Sequence, residues 1–136
     1  MRWADVMKAA GDLAAAHPDL ARIFADHIGV KGSQTIQVPS LRFWLVSDSV
    51  RELWAPCVVQ WDIWCATYQD RQVAEAALRA LFHADDFVTL AGVAMFTEYQ
   101  DGSMLSDPDR DGFYGRAVRF LHTPLREQYA GDAPGL

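Results

Sequence analysis

Leu53-Trp54-Ala55-Pro56-Cys57-Val58-Val59-Gln60-Trp61-Asp62-Ile63-Trp64-Cys65-Ala66-Thr67-Tyr68 is the stretch that organises the chain. Leu53, Ala55, Cys57, Val59, Trp61, Ile63 and Cys65 share one parity and are all apolar, whereas Glu52, Trp54, Pro56, Val58, Gln60, Asp62 and Trp64 share the other. Side chains alternate across a strand, so this pattern predicts a long strand with one core face and a second face that is not simply solvent. Pro56 has no N–H to give a ladder, which makes the strand an edge there or delays its regular pairing until after it. Thr67 then stands where a helix N-cap belongs, with Asp70 placing negative charge in the first turn. Val73, Ala74, Ala77, Leu78, Leu81 and Phe82 recur at helical spacing, and Glu75 and Arg79 stand four apart on the polar side, so a helix should run to about His83.

Upstream, residues 41–47 alternate Leu41, Phe43, Leu45 against Arg42, Trp44, Val46, and the link 48–51 is short enough for a hairpin with the long strand. At the N-terminus, Trp3, Val6, Met7, Ala10, Leu13 and Ala14 predict an amphipathic helix that stops near His17-Pro18. A short helical piece over 19–26 follows, burying Leu20, Ile23 and Phe24. Residues 29–40 mix breakers with one β-like patch over 35–38 and read as a long loop or arm. Two further strands are expected over 93–99 and 113–121, joined by an acidic loop over 101–112. The expected fold is therefore α+β, a four-stranded antiparallel sheet with two main helices packed mainly on one face. Residues 1–125 should form a single domain, and 126–136 a flexible C-terminal tail.

Composition narrows the function. The chain has 136 residues, 51% hydrophobic and 22% charged, enough apolar surface for one globular core. A net charge of −6 with only 12 scattered Lys and Arg argues against clamping nucleic acid through its phosphates. No apolar run approaches the roughly 20 residues of a membrane span, and the N-terminus lacks a signal-peptide core, which points to synthesis and retention in the cytoplasm. Cys57 and Cys65 on one strand would lie about 26 Å apart, far beyond disulfide reach. Their apolar parity predicts shielded, protonated thiols.

Catalytic signatures are missing from the sequence. Asp107, Asp109, Asp111 and Gly112 match the first half of a calcium loop, but the twelfth position, which needs a bidentate Glu, is Val118. His17, His27, His83 and His122 are scattered with no metal-ligand spacing. There is no nucleophile elbow, no phosphate-binding lysine loop and no dinucleotide fingerprint. No catalytic, metal or cofactor-binding residue is assigned, no cofactor is implied, and the chain does not read as an enzyme. The unexplained residues are Trp44, Trp54 and Trp64, bulky rings on the parity opposite the core. Either another part of the monomer covers them or they anchor a subunit interface.

The block over 53–68 running into the helix, together with Asp107-Pro108-Asp109-Arg110-Asp111-Gly112-Phe113-Tyr114-Gly115-Arg116-Ala117, resembles the tail terminator or tail-completion family of long-tailed bacteriophages, over roughly residues 41–125. The resemblance implies a ring-shaped homo-oligomer, usually a hexamer, that caps the tail tube, stops its polymerisation and offers the head-joining surface. Its partners would be the tail-tube protein and a head-completion or neck protein, with DNA passing through unread. Its location would be the virion tail at the neck, after assembly in the host cytoplasm. Trp44, Trp54 and Trp64 are the candidate interface residues, and Asp101, Asp107, Asp109 and Asp111 the candidate acidic lining of the lumen. The competing readings are another head-to-tail joining protein and a small α+β ligand-binding domain that uses the aromatic face as an apolar pocket.

Overall fold

The structure is a computed structural model that describes residues 3–32, 37–46, 55–83, 87–106 and 113–125. Among these residues the order is α1 (Trp3–Ala16), α2 (Pro18–Phe24), β1 (Ile28–Val30), β2 (Ser40–Leu45), β3 (Cys57–Cys65), α3 (Tyr68–Phe82), β4 (Val88–Leu90), β5 (Val93–Ser106) and β6 (Tyr114–Pro124). The strands form one curled six-stranded sheet in the order β1-β2-β3-β6-β5-β4.

This corrects the expected four-stranded antiparallel sheet with two main helices. The sheet is mixed, because β1 runs parallel to β2, and three helices accompany it. Each added strand spans 3 residues, too short for a period of two to show. β1 is the Ile28-Gly29-Val30 segment, whose glycine reads as a breaker; of the β-like patch expected over 35–38, the first two residues lie outside the described residues and the last two are not strand. β4 folds back on β5 through Ala91 and Gly92, whose φ of 52° and 80° suit the two-residue turn of a tight hairpin. Glycine enters that left-handed region freely, while Ala91 does so at a cost of about 1 kcal/mol and carries no turn signal in the sequence.

The central elements form for the reasons their residues suggest. β3 begins at Cys57, directly after Pro56, and pairs antiparallel with β2 on one side and β6 on the other. Thr67 Oγ1 accepts the Asp70 N–H at 3.1 Å, which caps α3. Pro18 opens α2, with the His17 ring accepting from the Asp19 N–H. The expected acidic loop over 101–112 begins later than the sequence suggests, because β5 continues to Ser106; 107–112 and the expected tail over 126–136 lie outside the described residues.

The odd-numbered side chains of β3 meet α3 and, through Phe43, the α1 side. Trp61 is fully buried, with ring centroids 4.4 Å from Phe43 and 5.5 Å from Phe82; Phe82 lies 5.8 Å from Phe120. These rings, with Leu20, Phe24, Leu41, Ile63, Leu78 and Met95, are the core. α3 is also held by ions: Arg116 Nε donates to Glu75 at 2.8 Å, Arg79 reaches the same carboxylate at 3.1 Å, and its guanidinium lies 3.6 Å from the centre of the Tyr99 ring.

Candidate partner-binding face of the sheet

The even-numbered side chains of β2 and β3 point to the other side of the sheet, and strand register sorts them into rows. Ser40, Trp64, Gly115 and Leu105 form one row across β2, β3, β6 and β5. Arg42, Asp62, Ala117 and Ser103 form the next, followed by Trp44, Gln60, Arg119 and Asp101, then Val58, Leu121 and Glu98. Packed neighbours on a pleated surface interact across strands, so each row acts as a unit.

A polar chain runs through the middle rows. Arg119 Nε donates to Gln60 Oε1 at 2.9 Å, Gln60 Nε2 donates to Asp62 Oδ1 at 2.9 Å, and Lys31 Nζ reaches Asp62 Oδ2 at 3.4 Å. Lys31 also lies 4.1 Å above the Trp44 ring. Gln60 and Asp62 are only 8% and 7% exposed, while Lys31 and Arg119 keep contact with solvent. Burying a carboxylate is costly unless it is paired and hydrogen-bonded, and both oxygens of Asp62 are engaged. At one end of this face the exposed Phe87 and Phe96 meet edge to face at 4.6 Å; both are about half exposed, 51% and 47%.

The three tryptophans fare differently. Trp44 is half-buried under Lys31. Trp64 is 8% exposed, with its ring 6.1 Å from Phe113 and tight against Gly115, so it is largely enclosed by the chain itself. Trp54 lies outside the described residues, as do Asp107, Asp109 and Asp111. Asp101 sits on a strand, exposed, across from Arg119. Residues the sequence did not single out, Lys31 and Arg119, complete the polar chain. Lys31 comes from the segment read as an arm, and only the parallel docking of β1 on β2 brings it over Asp62.

The opposite face holds the titratable groups furthest from solvent. Cys57, His122 and Thr97 are neighbours across β3, β6 and β5. Both His122 ring nitrogens, Thr97 Oγ1 and Trp61 Nε1 are buried without a hydrogen-bond partner among the described residues. Burial lowers the His122 pKa to about 4 and pushes the Cys65 thiol up to about 12; Cys57 is raised for the same reason. A neutral Cys57 thiol beside a neutral imidazole forms no activated nucleophile, and Cys65 lies at the far end of β3, opposite Tyr114. Among the described residues no three His, Cys, Asp or Glu side chains gather in a metal-binding group, and Val118, the twelfth position of the calcium-like run, is a fully buried strand residue.

No protein-family model matches the chain, and no curated protein matches it in sequence. Its backbone does have a counterpart among solved structures. The chain is similar to a chain of the virion of a native gene transfer agent particle, with a TM-score of 0.66, 12% identity, and coverage of 90% of this chain and 96% of that one. At that identity the shared property is the fold, and it extends over nearly the full length of both chains.

Proposed function

We propose that this chain is a non-enzymatic structural component of a phage-like virion, and specifically a tail terminator: a subunit of a ring that caps the tail tube, halts its growth and carries the head-joining surface. The observation that carries the reading is the fold shared with a chain of a gene transfer agent virion, end to end in both. The resemblance of residues 53–68 and 107–117 to tail-completion proteins supports the finer role. A sheet face bearing Trp44, Lys31, Arg119 and the exposed Phe87 and Phe96 supports a protein partner, because aromatic and arginine side chains are enriched where protein surfaces meet. The role is geometric: closed cyclic symmetry presents a matching ring of contacts to the tube and no surface for a further tube layer. The partners on this reading are copies of the chain itself, in a hexamer, the tail-tube protein on one side and a head-completion protein on the other. DNA would pass unread through the channel, with Asp101 a candidate for its acidic lining.

Mass measurement by light scattering, followed by negative-stain imaging with and without tail tubes, tests this. Rings of uniform size, free or seated on tube ends, are the expected result. A protein that stays monomeric and leaves tube length unchanged would overturn it. Rings that bind isolated head connectors but not tubes would favour a neck protein over a terminator.

A further inference from the structure

Among the described residues no further strand pairs with either end of the sheet, and the two ends differ. Only Val93–Met95 of β5 is flanked by β4; beyond it the outer side of β5 has no neighbouring strand among the described residues. His83 Nδ1 accepts the Tyr99 N–H at 2.8 Å and closes the edge at that point, next to a register irregularity between Tyr99 and Asp101. Residues 101–106 then form an edge with no neighbouring strand among the described residues, about as long as an average strand and carrying Asp101 but no Lys or Pro. At the other end of the sheet lies β1, bordered on its helix side by a cleft of about 260 Å³ whose floor is Gly11, Ile28, Val30 and Phe43 and whose rim includes the Lys8–Asp12 ion pair.

Each edge carries an exposed apolar residue on the same side of the sheet. Val30 on β1 is 56% exposed and Met104 on β5 is 58% exposed, the latter despite an Arg116 nitrogen 3.8 Å from its Sδ. Val30 pairs with Phe43 and Met104 with Arg116, which places both on the helix-bearing side. On the other side the edges differ in charge: Lys31 and Arg42 lie near β1, and Glu98 and Asp101 are exposed on β5.

On the ring reading above, we infer that these edges are the two halves of one contact between copies of this chain: the outer edge of β5 over 101–106 pairs with β1 of the next copy, and Met104 enters that copy's α1–β1 cleft. Within one sheet β5 runs opposite to β1, as the pairings β1-β2, β2-β3, β3-β6 and β6-β5 require. Rotation about an axis along the strands preserves direction, so the new pair is antiparallel. With Val30 opposite Met104, Lys31 falls opposite Ser103 and within diagonal reach of Asp101, an attractive pair. Methionine adapts well to an irregular gap, and the apolar part of this cleft is Ile28, Val30 and Phe43. Because the two edges are different surfaces, the contact is heterologous and can close into a ring, where a single shared patch would stop at a dimer.

Disulfide trapping tests the contact. Val30→Cys and Met104→Cys are made singly and together, while the native Cys57 and Cys65 are 2% and 0% exposed and stay out of the reaction. The oxidised double variant should give a covalent ladder ending at the mass of the ring, and each single variant only monomer on a non-reducing gel. A dimer from either single variant means a shared-patch contact and overturns the inference. Rings that form normally but yield no ladder overturn it and leave the ring reading standing; a protein monomeric even on tail tubes overturns both. As a check independent of cysteine, Met104→Asp should weaken association at least tenfold with an unchanged circular dichroism spectrum, and undiminished association overturns the inference.

Discussion

His122 is a histidine whose position decides its chemistry. Its folded pKa of about 4 lies below the unfolded value of 6.5, so the unfolded chain binds the extra proton between those pH values. The stability it contributes is fully present above pH 6.5 and is lost as pH falls toward 4, up to about 3 kcal/mol. Urea midpoints measured from pH 7.5 to 4 should decline over that window, and His122→Leu should flatten the decline. An unchanged slope in the variant would show that other groups govern the acid limb. Gly115 is decided by proximity. A Cβ there would lie 2.7 Å from both the Leu105 carbonyl oxygen and the Trp64 ring. Gly115→Ala should therefore cost about 1–3 kcal/mol and alter the near-ultraviolet signal of Trp64, readable by thermal melts and circular dichroism. Neither residue stands out in the sequence, because both depend on which strand lies alongside β6.

At the scale of elements, local signals were strong where they were long. The nine-residue β3 and fifteen-residue α3 carry enough positions for a period to be recognised, and both boundaries follow residues with a local reason, Pro56 and Thr67. Thr67→Ala removes the acceptor for the Asp70 N–H and should cost about 1 kcal/mol in chemical denaturation, with Thr67→Ser close to wild type. Equal losses in both variants would mean that the methyl group, not the hydroxyl, matters. β1 and β4 are the contrary case. Three residues are held there by pairing to β2 and β5, and no local preference for a strand needs to exist. β5 extends past Tyr99 because β6 supplies a partner as far as Tyr114, although Asp101, Gly102 and Ser103 are poor strand formers taken alone.

For the whole molecule, the contrast between two tryptophans separates folding from assembly. Trp64 is enclosed by Gly115 and Phe113, so Trp64→Ser should cost about 3–5 kcal/mol and lower the melting temperature sharply. Trp44 is half-buried, so Trp44→Ser should leave the fold cooperative and, on the proposed ring reading, weaken self-association, measured by sedimentation against concentration. If Trp44→Ser unfolds the protein and assembly of the folded fraction is unaltered, its ring belongs to the core.

The alternation over Cys57–Cys65 by itself determined a strand with a sealed odd face and the burial of both cysteines, and the Thr67 cap and helical spacing determined the helix that follows, since period and capping are properties of neighbouring residues; the expected start at Leu53 lies outside the described residues. Alternation also marked the even face, with Trp44, Gln60, Asp62 and Trp64, as something other than solvent surface. Only the tertiary structure decided that this face carries a continuous polar chain from Arg119 to Lys31. It also decided that the described residues form six strands with unlike edges, and that among them His122 has no hydrogen-bond partner in the core. Each of these depends on register between segments far apart in the chain, and register is set by how the whole sheet closes over its core, which no local pattern encodes.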